Sequence, residues 1–320
     1  MPDHQILVPL DGSVLAECVL PHVVALGRVF GSKIILLRVI TPATDEGHVI
    51  DPFSWEMQKA EAISYLQGKK ELLNQLMDSV EYQLFEGKAA EKITEYARQE
   101  NVDLIALSSH GQSGLNEWNI SSVVQKIIFY AQKSILLIRA YHAMDVGIQD
   151  VRYQKLAMPL DCSQRAELVL PMAAHIAKFY GARLLLTHVI REPEITCRNP
   201  PTEAELDLSR KLIECNKNYM EKYFEQLTSQ LSHQGVEIQS ELRTSSNVSE
   251  TLHELMEDEK VDLVLLTAHG MTGSHKWPYG NLATSFIIYG SKPIIILQDL
   301  NPEEIEKSQA EIVAREYKGH

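Results

Sequence analysis

Two stretches of the chain combine an apolar run, a small-residue turn with a His-Gly pair and, nine residues later, small polar residues that open a helical segment. Residues 104–124 read LIALSSHGQSGLNEWNISSVV, and residues 263–283 read LVLLTAHGMTGSHKWPYGNLA. Small residues let a ligand approach the backbone, and a helix start offers N–H groups and a positive dipole end to an anion. Each stretch is therefore a candidate phosphate cradle, although such a glycine can also serve the shape of the turn alone.

The two cradles belong to a repeat that covers most of the chain. Pro9-Leu10-Asp11 recurs as Pro159-Leu160-Asp161 at a shift of 150 positions, and His110-Gly111 recurs as His269-Gly270 at a shift of 159. The second copy thus carries nine extra residues between its second strand and its glycine turn. A repeat of this length indicates two homologous domains. We place them at residues 1–142 and 151–299, joined near residues 140–153 and followed by a tail at 300–320 that is a solvated helix or a frayed end.

Composition excludes several classes of protein. Acidic residues outnumber basic ones by 43 to 30 and no basic run occurs, so neither a nucleic acid nor an anionic membrane is an expected partner. The apolar runs are far shorter than a membrane span, and the first residues lack the pattern of a signal peptide. The four cysteines form no C-x-x-C pair, which favours free thiols in the cytoplasm. Cys18 and Cys162 fall within predicted helices, as small buried hydrophobes.

Strands alternate with helices in both copies, which predicts α/β domains with a parallel sheet and helices on both faces. Pro21 lies inside a predicted helix and indicates a kink or a later true start. In the first copy we predict strands at 5–10, 33–39, 81–85, 103–107 and 134–138, and helices at 14–30, 52–76, 88–99 and 122–131. In the second copy the strands lie near Lys155, Arg183, Val236, Val261 and Pro293, and residues 203–234 form a long helix.

The expected architecture is doubly wound, Rossmann-like, with five parallel strands in the order 3-2-1-4-5. In that order the winding reverses between the first and fourth strands, and ligands bind outside their carboxyl ends. The loops at 10–13 and 108–111 leave those ends. Asp11 could there accept hydrogen bonds from ribose hydroxyls, the backbone near Val39 could meet a base edge, and the helix start at 121–123 could receive phosphate oxygens.

Structural roles remain open for several of these residues. Asp11 and Ser13 could serve only to cap the first helix, and Ser121 and Ser122 only to cap a later one. The two histidines at 110 and 269 could be general bases, but no nucleophile with an orienting partner is evident from spacing, so we expect them to shape the turn or pack against adenine. The two tryptophans at 118 and 277 could form a lid or pack their loops down. A metal site at His188 and Cys197 lacks ligand spacing.

At these residues the chain resembles a tandem universal stress protein of the UspA family, whose fold is related to that of the adenine nucleotide α-hydrolases. The motifs are ILVPLDGS followed by SSHGQSGLNEWNISSVVQKI, and MPLDCS followed by TAHGMTGSHKWPYGNLATSF, and the likeness reaches about Asp299. ATP-binding members of that family carry Gly, two residues, Gly, nine residues, then Gly and Ser or Thr. The resemblance transfers this pattern to Ser108, Gly111, Ser121 and Ser122 in the first domain, and to Thr267, Gly270, Gly280 and Asn281 in the second.

Both copies depart from the family pattern. Ser121 adds a Cβ where phosphate approaches the backbone, and Asn281 lacks the hydroxyl but keeps a helix-capping oxygen. The family's glycine after the third strand is present as Gly87 and replaced by Ser246 in the second copy. The first domain is therefore the better candidate. Its nucleotide-binding residues would be Pro9, Leu10, Asp11, Val39, Leu107, Ser108, His110, Gly111, Ser121, Ser122 and Val123; the second domain offers Pro159, Asp161, Val189, Thr267, Gly270, Gly280 and Asn281.

The resemblance implies a stress-response protein that binds ATP, ADP or AMP, with or without Mg²⁺, and that regulates or protects through its nucleotide state. The alternative is a nucleotide-free interaction scaffold whose cradle survives only as fold. No general base or arginine clamp is evident, so at most slow ATP hydrolysis is expected. An α-hydrolase enzyme is a third reading, but Asp11-Gly12-Ser13 stands where those enzymes have Ser-Gly-Gly.

The last strands of the two copies, at 135–138 and 294–297, are apolar and would each lie at a sheet edge. An exposed apolar edge invites pairing with another strand. We therefore expect the two edges to pair within the chain, as in the dimers usual for the family, and the chain could in addition form a homodimer.

Overall fold

The structure, a computed structural model, describes residues 4–41, 51–111, 120–140, 147–194, 201–271 and 278–300. The chain divides into two compact units, one made of residues 1–152, 275–279 and 293–320, the other of residues 153–274 and 280–292. Residues 141–146 of the expected junction, the tail from 301, and Trp118, Trp277 and Cys197 lie outside the described residues.

The first unit contains a parallel sheet in the order β3-β2-β1-β4-β5, which confirms the predicted order for the first half. Leu7 of β1 pairs with Ile35 of β2 on one side and with Ile105 of β4 on the other. The strands are β1 Gln5–Pro9, β2 Lys33–Ile40, β3 Val80–Glu86, β4 Leu104–Ser108 and β5 Ser134–Ile138; the helices are α1 Val14–Glu17, α2 Leu20–Phe30, α3 Pro52–Asn74, α4 Ala89–Gln99 and α5 Ser122–Ala131.

The central strands of this sheet are covered on both faces. Leu7, Ile35 and Ile105 have 1 % or less of their surface exposed. Consecutive strand residues point to opposite faces, so a strand that is apolar throughout must have both faces buried. The near-continuous apolar runs in the sequence therefore reflect helices packed on each side of the sheet.

The helix predicted over residues 14–30 is broken in two, as Pro21 indicated. The first piece, α1, ends at Glu17, and α2 begins at Leu20 with Pro21 in its first turn. Proline is well placed there because the first helical N–H groups have no intrahelical acceptor. The later true start is thus the correct alternative, and α2 ends at Gly31 in the left-handed conformation.

The second unit repeats the arrangement with parallel pairs that give the order β8-β7-β6-β9. Its α8 has 30 residues against 23 in α3, which takes up most of the nine extra residues of the second copy. The strands are β6 Lys155–Pro159, β7 Arg183–Arg191, β8 Glu237–Ser245 and β9 Leu263–Thr267; the helices are α6 Gln164–Glu167, α7 Leu170–Tyr180, α8 Glu203–Ser232, α9 Val248–Asp258 and α10 Asn281–Tyr289.

The last strand of the second sequence copy, β10 Ile294–Leu297, falls in the first compact unit. It runs antiparallel to β5, with Ile294 beside Leu137 and Ile296 beside Ile135. The backbone N–H of Gln298 also donates to the Ser134 hydroxyl, at 3.2 Å. The edge of the β3-β2-β1-β4-β5 sheet at β5 is therefore paired in this structure.

One cysteine assignment from the sequence is wrong. Cys162 was expected inside a helix, but it lies in the turn between β6 and α6 with φ of +65°, where Gly12 of the first unit has φ of +89°. A left-handed residue cannot continue a right-handed helix, and helical periodicity gives no sign of it. Cys18 closes α1 and is buried, as expected.

Two kinds of feature are absent from the part of the chain that the structure describes. None of its helices combines the length and apolar character needed to cross a bilayer. None of the same residues form a group of three or more His, Cys, Asp and Glu side chains able to hold a metal ion.

Candidate functional site

A cavity of about 260 Å³ opens in the first unit where β1 and β4 end and the winding of the sheet reverses. Its walls include all of the predicted first-domain residues except Ser122: Pro9, Leu10, Asp11, Val39, Leu107, Ser108, His110, Gly111, Ser121 and Val123. Six further wall residues were not predicted from the sequence. They belong to α1, β2, α4 and α5 and are Ala16, Leu37, Ala89, Ile93, Val124 and Ile127. The buried faces of α4 and α5, read from helical periodicity, would have pointed to Ile93 and Ile127.

Asp11 joins the two loops that border the cavity. Its Oδ1 accepts a hydrogen bond from the backbone N–H of Ser13, at 2.9 Å. A Cβ added to Gly111 would lie 2.1 Å from Asp11 Oδ2, so the carboxylate packs directly on the glycine backbone. Only glycine allows this approach, because no real Cβ contact is so short.

The second unit has the same junction. The N–H of Ser163 donates to Asp161 Oδ1 at 3.1 Å, and the N–H of Met271 donates to Asp161 Oδ2 at 2.6 Å. A Cβ on Gly270 would also lie 2.1 Å from that carboxylate. The aspartate therefore has a structural role in both halves, linking the loop after the first strand of the copy to the loop after its fourth.

The start of α5 supplies the polar end of the first cavity. Ser121 is the N-cap, and its Oγ accepts from the N–H of Val124 at 3.2 Å. Ser122 is the first helical residue, is exposed and does not line the cavity, so the expected capping role holds for Ser121 and not for Ser122. The N–H groups of Ser122 and Val123 have no acceptor within the helix, and such groups can bind an anion.

The cap predicts different effects for the two neighbouring serines. Replacing Ser121 with alanine should lower the free energy of unfolding by about 1 kcal/mol, because the Val124 N–H loses its acceptor. Replacing Ser122 with alanine should change it by less than about 0.5 kcal/mol, because that side chain is exposed. Urea unfolding of both variants tests this, and equal losses would show that the observed cap does not stabilise the helix.

His110 is held in the cavity wall by its neighbour. The Oγ of Ser109 lies 2.8 Å from His110 Nδ1 and accepts the N–H of Ala140 at 3.2 Å. Ser109 is fully buried and is not among the cavity residues, so its hydroxyl orients the imidazole ring and cannot reach a substrate as a nucleophile. The hydrogen bond between Ala140 and Ser109, which are 31 positions apart, could not be predicted from the sequence.

Arg38 is not among the residues predicted from the sequence. Its guanidinium atoms lie 3.1–3.2 Å from the position that a Cβ on Gly12 would take, and its Cζ lies 5.1 Å from the centre of the Tyr65 ring. Burial, and then a hydrogen bond to Glu17, raise the pKa of Tyr65. Arg38 therefore places a positive charge beside the Asp11–Ser13 turn without lining the cavity.

The second unit differs at several matching places. Gly280 is the N-cap of α10, and Asn281 is the first helical residue. The prediction that the Asn281 side chain caps this helix is therefore wrong, because a capping side chain has to come from the residue before the first helical one. Gly87 has φ of +126°, whereas Ser246 does not adopt a positive φ. Thr187 Oγ1 is buried and has no hydrogen-bond partner among the described residues.

The remaining predicted residues of the second domain lie where the repeat places them. Pro159 and Thr267 end β6 and β9, and Val189 is buried in β7. Thr267 Oγ1 donates to the carbonyl of His269 at 2.7 Å.

The wall of the first cavity contains one carboxylate side chain. Asp11 carries that charge, the other polar side chains are Ser108, His110 and Ser121, and most of the wall is apolar. An apolar slot suits a flat aromatic ring, a carboxylate accepts hydrogen bonds from hydroxyls, and a helix start attracts an anion. These three features lie around one cavity.

Comparison with known proteins gives the family. The pattern of the universal stress protein family matches residues 4–139 and 152–298. A universal stress protein of Methanocaldococcus jannaschii is 26% identical over 164 residues, which is 47% of this chain and 98% of the relative, and one of Bacillus subtilis is 27% identical over 147 residues, or 42% and 99%.

Solved structures of similar length share the fold. A universal stress protein from Archaeoglobus fulgidus superposes with a TM-score of 0.62 at 16% identity and covers 93% of this chain and 99% of its own. One described as a putative universal stress protein from Pseudomonas aeruginosa gives 0.64 at 14% identity, covering 96% and 98%. Since the family pattern matches both halves of the sequence, the chain belongs to the universal stress protein family and carries two domains of that family in tandem.

Proposed function

We propose that this universal stress protein binds an adenine nucleotide, ATP, ADP or AMP, in the first-half cavity and acts in the stress response as a nucleotide-dependent regulatory or protective protein of the cytoplasm. Its domains would span residues 1–142 and 151–299. The observation that supports this most is the cavity at the β1/β4 reversal, which brings Asp11, Gly111 and the start of α5 together. The base would enter the apolar slot beside Val39, the ribose would face Asp11, and the phosphates would meet the N–H groups at α5.

The donor set indicates how Mg²⁺ would be held. Among the described residues no carboxylate cluster forms a site for a cation, and Asp11 already accepts the Ser13 N–H. Mg²⁺ keeps several waters and binds phosphate oxygens readily. It would therefore arrive on the phosphates of the nucleotide, and the protein residues would contact the nucleotide.

The competing function is a scaffold that binds no nucleotide, and the structural roles of Asp11 and Ser121 support it. Extraction of the purified protein followed by chromatography of released nucleotides, and calorimetry with ATP, ADP and AMP with and without Mg²⁺, separate the two. A nucleotide-binding protein should release an adenine nucleotide on extraction or give heat with at least one of the three. A protein that is folded, releases no nucleotide and gives no heat with any of the three is a scaffold.

The role of Asp11 gives a specific test. Asp11→Asn should lower nucleotide affinity about tenfold, because an amide replaces a charged acceptor while its oxygen can still accept the Ser13 N–H. Calorimetry with AMP and ATP measures the change.

Asp103→Asn is the matched control. Asp103 precedes β4, and its Oδ2 accepts the N–H of Gln5, the first residue of β1, at 2.8 Å. This bond lies at the opposite ends of the two strands from the cavity. This variant should lose stability and keep its nucleotide affinity. Equal affinities for Asp11→Asn and the parent protein would remove the ribose role.

We further propose that the two family domains pair within the chain through their last strands, and that this chain also forms a homodimer. The antiparallel register of β10 on β5 supports the first part. A charged substitution at Leu136, which lies opposite Ile295, should loosen this pairing, and limited proteolysis would detect the loss of protection. Sedimentation equilibrium of the intact chain decides the second part.

A further inference from the structure

The second unit has a groove of about 640 Å³ between helix α8 and strand β8. β8 is an edge strand, because it pairs with β7 on one side and with no other strand among the described residues. The backbone N–H and C=O groups along an unpaired edge can bond to a further strand. The groove therefore lies beside a strand that can be extended by another chain.

The first unit has a tyrosine at the matching place. Leu36 and Leu186 correspond at the repeat shift of 150 positions, and they pair with Tyr82 of β3 and with Ser240 of β8, respectively. Ser240 therefore stands where the first unit has Tyr82. The Tyr82 hydroxyl accepts a hydrogen bond from Gln67 Nε2 of α3 at 3.3 Å, which holds the tyrosine against that helix. In the second unit a serine replaces the ring, and the space between helix and strand is a groove.

The helix that faces the strand also differs between the two copies. Tyr65 of α3 and Tyr223 of α8 each donate to a glutamate of the preceding short helix, at 2.8 and 2.9 Å, which aligns α3 with α8 at a shift of 158 positions. At that shift Glu225 replaces Gln67. Glu221, one turn earlier on α8, lines the groove as well. The second copy has thus exchanged the amide that held the tyrosine for a carboxylate.

The floor of the groove is apolar. Phe224 has 4% of its surface exposed, and Ile238 and Leu242 are half-buried. These two strand residues lie on the same face of β8 as Ser240, because alternate residues of a strand share a face. An aromatic side chain from outside the chain would cover this apolar surface as Tyr82 does in the first unit.

The helix side of the groove carries negative charge. Glu221 and Glu225 line it, and both are exposed. The Lys217 ammonium lies 3.9 Å from the Glu221 carboxylate, whereas Glu225 forms no ion pair with the described residues. The groove therefore favours basic groups beside the aromatic ring.

We propose that this groove binds an extended peptide segment of a partner protein, which adds to the edge of β8, places an aromatic side chain beside Ser240 and directs basic side chains at Glu221 and Glu225. Main-chain bonds to β8 give affinity, and the aromatic and basic side chains give specificity. Basic residues two positions from the aromatic one lie on its face of the added strand. The groove shares no residue with the first-unit cavity, so this inference does not rest on nucleotide binding.

Calorimetry of the full-length protein with the blocked peptide acetyl-Thr-Arg-Thr-Tyr-Thr-Arg-Thr-amide tests the proposal. The protein should bind this peptide, and replacement of its tyrosine by alanine or of both arginines by glutamate should weaken binding at least tenfold. Two further peptides are N-methylated at alternate residues, one in each register. The peptide whose N-methyl groups face β8 should lose binding, because those amides cannot donate to the strand.

Three protein variants locate the site. Ser240→Tyr restores the residue of the first copy and should lower peptide affinity at least tenfold, because its ring occupies the groove. Glu225→Gln should lower the affinity about threefold and reduce its dependence on salt. Glu214→Gln is the matched control, since it removes an exposed charge from the same helix outside the groove and should leave the affinity unchanged. All three positions are exposed, so the thermal midpoints should stay close to that of the parent protein.

Each contrary result overturns a named part of the proposal. Unchanged affinity of Ser240→Tyr removes the aromatic place, and equal binding of both N-methylated peptides removes the strand addition. Tyramine that binds as tightly as the peptide would assign the groove to small aromatic amines. Self-association of the parent protein that is lost in Ser240→Tyr, measured by sedimentation equilibrium, would assign it to a second copy of this chain. A parent protein that binds none of the peptides overturns the inference and leaves the proposed nucleotide function standing.

Discussion

Gly111→Ala should reduce nucleotide affinity about a hundredfold and lower the free energy of unfolding by about 1–3 kcal/mol. The added Cβ would lie 2.1 Å from Asp11 Oδ2 and 3.1 Å from its Cγ. Relief requires the carboxylate to rotate away, which breaks its bond to the Ser13 N–H and moves the residue that faces the ribose. Both the loop junction and the proposed ligand contact are lost together.

Calorimetry and urea unfolding of Gly111→Ala measure the two effects, and two other glycines provide controls. Gly270→Ala meets Asp161 at the same distance, so it should cost similar stability while the first cavity keeps its affinity. Gly68→Ala adds a Cβ in open space on α3 and should stabilise by about 0.5–1 kcal/mol. A Gly111→Ala protein as stable as its parent would contradict the observed packing.

The free energy of unfolding should fall by about 3 kcal/mol between pH 6.5 and pH 4, because His22 is buried in its neutral form. His22 lies in α2 with 4% of its surface exposed, and burial lowers its pKa to about 4. The unfolded chain binds a proton near pH 6.5 that the folded protein resists, so the unfolded state gains as the pH falls through this window. The stabilisation that comes from neutral His22 is therefore fully present above pH 6.5 and is lost by about pH 4.

The variant His22→Met isolates this effect from the carboxylates that also titrate in acid. Methionine is the residue at the matching place in the second copy, Met172, and it does not ionise. Urea unfolding from pH 7 to 4 should show a stability difference between parent and variant that shifts against the parent as the pH falls. A difference that stays constant across that range would show that His22 does not titrate differently on folding.

The sequence alone predicted the repeat, the strand order of the first half and most of the cavity wall. These follow from patterns that repeat along the chain: apolar runs of strand length, helical periodicity, and a proline that can begin a helix but not continue it. Pro21 shows the reach of such reasoning, because α2 starts one residue before it. The switch rule for doubly wound sheets then placed Asp11 and Gly111 at one crevice, where the structure has its cavity.

The tertiary structure alone decided which polar groups pair with which. Arg38 reaches Gly12, Ser109 links Ala140 to His110, and Thr267 is satisfied by a backbone carbonyl. At the matching position of the first unit, the Ser108 hydroxyl has no hydrogen-bond partner among the residues that the structure describes. The physical reason is that periodicity and turn chemistry act between neighbours in sequence, whereas a hydrogen-bond partner is set by the packing of elements that lie far apart in the chain.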